Sequence, residues 1–227
     1  MRVPNFLKSV KHTRKAHQVL EKPTAERLQK KSSTELSRGN LETMLGNSYK
    51  SNAENGPVDN YVLDPTLSDN RVKTYYDPNT KHTVVAHRGS ATGQDWLENA
   101  MYSVGIKRGA NRKHSREMQK KVDAKYGSEN LTTIGHSKGA SHAQEFGQKG
   151  DVITLNKPVN VTEALRYKVP KYQTDYRGEG DVVSALRGVQ GGKKAVTLKK
   201  SKGEKKSWNP IKNILDEHAT ETLSRGI

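Results

Sequence analysis

The hydrophobic pattern of this chain changes character at about residue 50. Before it, apolar positions are sparse. Leu7, Val10 and Val19 form no wide stripe, Lys8, Lys11, Arg14 and Lys15 crowd one stretch, and Pro23 interrupts any helix there. The helix-compatible run Thr24–Leu45 has only Leu28, Leu36, Leu41, Met44 and Leu45 as sizeable apolar residues. Residues 1–50 are therefore expected to form a basic, helical or partly disordered N-terminal arm, solvated or loosely docked. Attachment to a membrane or virion surface is the competing expectation. Ser51–Pro57 is turn-rich, and residues 51–227 read as the folded domain.

Beyond the linker the periodicity turns strand-like. Val72–Tyr76 and Thr83–Ala86 carry β-branched and aromatic residues around Asp77-Pro78-Asn79-Thr80, which predicts a hairpin. A helix is expected over Lys113–Tyr126, stopped by Gly127, and then a strand at Leu131–Ile134 and a helix at Ala140–Phe146. Val152–Leu155, Lys171–Tyr176 and Ala195–Leu198 are further strand candidates, with a last helix over Ile211–Leu223. Strands alternating with helices predict an α/β fold with a mostly parallel central sheet and flanking helices.

Composition narrows the classes. The hydrophobic fraction of 31% and mean hydropathy of −0.93 are low enough to leave part of the chain outside a core. With no cysteine, disulfides and thiolate metal sites are excluded. No apolar run approaches the roughly 18 residues of a membrane span. The basic N-terminus lacks the apolar stretch of a signal peptide, which favours a cytoplasmic or virion-associated location. A formal charge of +16 predicts attraction to a polyanionic surface, either an anionic membrane or nucleic acid bound without sequence preference. No zinc-finger spacing, RNP-like strand or heptad-backed basic region accompanies that charge.

The chemistry centres on Gly135-His136-Ser137-Lys138-Gly139, set between a strand and a helix. A G-x-S-x-G at such a junction is the pattern of the α/β-hydrolase nucleophile elbow, in which an acid and then a histidine follow the serine. Asp181, on Gly178-Glu179-Gly180-Asp181 past a strand candidate, is the expected orienting acid, with a helix N-cap as its alternative role. Asp175 competes but falls inside the strand. Of the two later histidines, His142 lies on the helix after the elbow and is expected to be structural, which leaves His218 as the base. The oxyanion donors expected are the Lys138 amide and a group from the His87–Ser90 loop. This chemistry requires neither cofactor nor metal.

Val84-Val85-Ala86-His87-Arg88-Gly89-Ser90, followed by Asp95-Trp96-Leu97, resembles the strand, Arg-Gly-Thr/Ser and Asp-Trp-Leu block of class 3 (fungal-type) lipases. The elbow and Gly180-Asp181-Val182-Val183 are similar to further blocks of that family, and the likeness spans Val72–Leu223. It implies an α/β-hydrolase with Ser137 as nucleophile, Asp181 as acid and His218 as base. Ser90, by hydroxyl and amide, would complete the oxyanion hole with Lys138. Thr92–Tyr102 would be the lid, with Trp96, Leu97 and Met101 towards substrate. The implied activity is cleavage of carboxylic esters of acyl lipids, as a lipase or, given the basic surface, a phospholipase. Two departures stand out. His87 occupies a position usually apolar, as a packed replacement or a second polar group in the site, and the residues after His218 lack the family's Tyr or Leu. A hydrolase of soluble esters, or a virion, membrane- or nucleic-acid-associated structural protein retaining the fold, are the alternatives.

Overall fold

The structure, a computed structural model, describes residues 36–90, 110–158, 169–181, 194–200 and 210–226. Its centre is a seven-stranded sheet whose spatial order follows the sequence: β1 (Val62–Leu63), β2 (Val72–Tyr76), β3 (Thr83–His87), β4 (Leu131–His136), β5 (Asp151–Leu155), β6 (Gln173–Gly178) and β7 (Lys194–Leu198). β1, β2 and β3 pair antiparallel, whereas β3 to β7 run parallel. The parallel half requires crossovers, and the helices α2 (Ala110–Tyr126) and α3 (Lys138–Phe146) supply those before and after β4. The expected α/β arrangement, a mostly parallel sheet with flanking helices, is the one observed.

The β2–β3 hairpin forms as its β-branched and aromatic residues and its turn chemistry predict. Its turn is organised by Asp77, whose carboxylate accepts from the Asn79 amide at 2.8 Å and the Thr80 hydroxyl at 2.7 Å. α2 ends at Gly127, whose φ of +77° suits a helix C-terminus. Every residue of β3 and β4 is buried, as in a sheet covered on both faces. On the α2 side, Leu67, Val72, Val85, Met118, Val122 and Leu131 form one apolar cluster.

Two elements differ from expectation. The first is α1 (Arg38–Asn47), which falls inside the segment read from sequence as an arm. Ser37 caps it by accepting the Asn40 amide at 3.1 Å. Leu41, Met44 and Leu45 lie at i, i+3 and i+4 and are at most 1% exposed, packed where the helix meets β3, β4 and the chain's C-terminal turn. Three residues on one stripe are enough to join a core when the remaining positions face water. Residues 1–35 lie outside the described residues.

The second is the last helix. In place of one element over Ile211–Leu223, α4 (Pro210–His218) stops at His218. Ala219 is extended at φ −66°, ψ 159°, and a 3₁₀ turn follows over Thr220–Ser224. The Ala219 carbonyl takes the Thr222 hydroxyl at 2.8 Å, which closes that turn and leaves His218 at a helix end.

Candidate active site

Ser137 stands where β4 gives way to α3, at φ 55°, ψ −128°. A serine is strained there, and the surroundings hold it: its amide donates to the Leu155 carbonyl at 3.0 Å, and its carbonyl accepts from Ala140 at 2.9 Å. The glycines on either side are required sterically. A Cβ at Gly135 would strike the Gly139 carbonyl, and one at Gly139 would strike the His87 carbonyl. Strand and helix meet backbone to backbone, and Ser137, only 4% exposed, sits at the turn between them. Lys138 is the first residue of α3, so its amide belongs to the set of helix-start donors without intrahelical acceptors.

Asp181 and His218 come together from elements 37 residues apart in sequence. His218 Nδ1 lies 2.9 Å from Asp181 Oδ1, with side-chain exposures of 6% and 0%. A carboxylate only accepts, so Nδ1 carries the proton and Nε2 is the basic nitrogen of the neutral ring. Neighbouring residues fix both ends. The Gly180 amide donates to Glu217 Oε2 at 3.3 Å, so the residue before the histidine holds the residue before the acid. Arg225 binds the same oxygen at 2.8 Å, and Lys200 pairs with the other carboxylate oxygen. Burial works against ionising Glu217, but these two cations outweigh it and hold its pKa below the usual value. Asn156, at φ 49° and fully buried, donates to the Glu217 carbonyl at 3.1 Å and accepts from the Gly178 amide at 2.8 Å. It links the ends of β5 and β6 to α4.

His218 also meets the elbow. The His136 and His218 rings lie 4.9 Å apart between centroids, and His136 Nε2 donates to the His218 carbonyl at 2.5 Å. Above the elbow runs the loop after β3. A Cβ at Gly89 would lie 3.1 Å from Ser137 Cβ and 2.7 Å from the His136 carbonyl. Ser90 follows, half-buried, at the end of that described segment. Trp96, Leu97 and Met101, with the rest of Thr92–Tyr102, lie outside the described residues.

Two further histidines, His87 and His142, pack together, and His82 lies apart, hydrogen-bonded to Tyr61 and Thr132. Strand alternation sends His87 into the layer beneath α2 and α3, where Nε2 donates to Gln119 Oε1 at 3.0 Å and the ring packs edge-on against His142 and Phe146. His87 is a packed replacement within that layer. His142 shares it, tilted against Phe146. Burial lowers His87 to about 4 and, with repulsion from His87 and nearby cations, His142 to about 3, so both are neutral. Asp175 stays on β6, paired with Thr154 and, at 3.2 Å, with Lys157. Among the described residues no group of three or more His, Asp or Glu side chains is arranged to hold a metal.

Tyr49, Asn156, Glu217 and Arg225 carry no motif that marks them in the sequence, whereas His136 is visible inside the pentapeptide.

The mostly parallel sheet with flanking helices is an α/β-hydrolase-like fold, and it carries a serine at a strained strand-to-helix elbow and a buried Asp–His pair. The chain is similar in structure to a triacylglycerol lipase from Penicillium expansum, with 16% identity and a TM-score of 0.45 over 72% of this chain and 78% of that one. It is similar also to Rhizomucor miehei lipase in its propeptide complex, with 13% identity and a TM-score of 0.47 over 82% and 78%. The Lip2 lipase of Yarrowia lipolytica shares 16% identity with a TM-score of 0.40 over 64% and 72%. No family model and no curated protein matches the chain.

Proposed function

We propose that this protein is a serine hydrolase that cleaves carboxylic esters of acyl lipids through Ser137, His218 and Asp181. One observation carries the reading: the buried Asp181–His218 pair packs against His136, the residue that precedes a serine held at a strained elbow. A purely structural serine has no need of that backbone strain.

The chemistry follows from the atoms. Ser137 Oγ attacks the acyl carbonyl while His218 Nε2 takes its proton, and Asp181 steadies the imidazolium through Nδ1–H. The Lys138 amide and Ser90 receive the charge that develops on the carbonyl oxygen. His218 then protonates the departing alkoxide, and water hydrolyses the acyl-enzyme by the same route reversed.

The charge of +16 favours an anionic interface, where each nearby Lys or Arg contributes about 1 kcal/mol. A phospholipid surface is therefore the preferred substrate setting. Labelling with a fluorophosphonate probe tests the nucleophile: wild type should react and Ser137→Ala should not. Vesicle assays test the interface. Turnover should rise with anionic lipid content and fall as added salt shortens the Debye length to about 10 Å at 0.1 M. Equal rates on neutral and anionic vesicles at both salt levels would assign the enzyme to soluble esters.

A further inference from the structure

We infer that Tyr49 and His136 are positioning residues, a hydrogen-bonded relay that ties the oxyanion loop to the base, His218; the inference rests on the triad reading above. The relay is continuous. The Gly89 amide donates to the Tyr49 phenol oxygen at 3.2 Å, the phenol donates to His136 Nδ1 at 2.7 Å, and His136 Nε2–H donates to the His218 carbonyl at 2.5 Å.

Its direction is dictated from both ends. A carbonyl can only accept, so Nε2 must carry the hydrogen and Nδ1 of the neutral ring must accept. An amide can only donate, so the phenol oxygen takes Gly89 on a lone pair and turns its own hydrogen towards Nδ1. Burial, and then repulsion from His218, lowers His136 to about 3, which keeps the ring neutral. Burial raises Tyr49 to about 12, which keeps the phenol protonated. A second proton on His136 would put a hydrogen on Nδ1 and break the link to Tyr49.

The ends of this relay act in one chemical step. His218 receives the serine proton as the Gly89–Ser90 loop meets the developing oxyanion, so the distance between them must hold. A misplacement of about 1 Å at such a site costs on the order of 10²-fold in rate. Tyr49 comes from just beyond α1, 87 residues before His136, so a distant part of the chain makes this tie. Its ring also packs, with Arg88 lying 5.5 Å above it and His136 edge-on at 5.9 Å. Phenylalanine would keep that packing and lose only the hydroxyl.

Tyr49→Phe is therefore the test, read beside Ser90→Ala and the double variant. The expected result is a melting temperature within a few degrees of wild type, KM within about twofold, and kcat and fluorophosphonate labelling lowered about 10- to 100-fold. The double variant should be little worse than the more damaged single, since both act through one loop. Wild-type kcat in Tyr49→Phe, or losses that multiply in the double variant, would overturn the relay. Imidazole ¹⁵N NMR of the wild type gives a readout independent of turnover. His136 should remain a neutral Nε2–H tautomer from pH 5 to 8, and an Nδ1–H tautomer or titration near 6.5 would overturn the relay equally. If wild type fails to label, the hydrolase reading falls by itself, while the NMR result still decides the relay.

Discussion

His218 and Asp181 hold each other at 2.9 Å, and each is also held through its chain neighbour, because Glu217 accepts the Gly180 amide at 3.3 Å. The geometry is thus doubly determined. A side-chain contact sets the tautomer of the imidazole, and a backbone-directed contact sets the distance between the two chain segments. With both side chains almost sealed from solvent, that arrangement is protected from competing water.

Asp181→Asn should preserve the fold and remove most turnover. An amide can offer its NH₂ to Nδ1, which would favour the wrong tautomer, and kcat should fall about 10⁴-fold. The combination with Ser137→Ala should be scarcely worse than Ser137→Ala alone, because members of one catalytic unit are not additive. Single-turnover ester hydrolysis measures both.

Ser90→Ala should lower kcat by about 10²–10³ with little change in KM, the signature of a donor used only as charge develops. An effect confined to KM would give Ser90 a role in holding substrate. Initial rates over a range of ester concentrations separate these outcomes.

Acid should destabilise the fold well above the carboxylate range. Burial lowers His82 and His87 to about 4, and His136 and His142 to about 3, from 6.5. The unfolded chain therefore binds protons between pH 6.5 and 4 that the folded chain refuses. The stabilisation is complete above 6.5 and is lost as pH falls, by up to about 1.4 kcal/mol per pH unit for each group. Urea midpoints should drop steeply from pH 7 to pH 5, and His142→Leu should flatten that slope.

Leu45→Ala should cost about 2–5 kcal/mol, as for a leucine in a packed core, since Leu45 is fully buried where α1 meets the sheet. Deleting residues 38–50 should remove this contact and Tyr49 together, with loss of the cooperative unfolding transition. Chemical denaturation of both variants distinguishes a core helix from a dispensable arm.

The residue pattern by itself determined the local elements: the hairpin about Asp77, the helix ending at Gly127, the parallel run of strands, and the elbow with its two obligatory glycines. Each depends on periodicity or turn chemistry within a few neighbours. Asp181 was marked by its position after β6 and His218 by chain order, and the fold brings the pair to 2.9 Å. What only the tertiary structure decided is how distant polar groups meet. α1 offers too few apolar residues to announce a core helix, and its burial depends on β3, β4 and the distant Thr220–Ser224 turn. Tyr49, Asn156 and Glu217 sit in no recognisable pattern, because a single directed hydrogen bond leaves no periodic trace in the chain. His87 looked ambiguous for a related reason. Its strand ends at the site, but the alternation of side chains turns it towards Gln119 and the helices, a choice of face that exists only once the sheet is assembled.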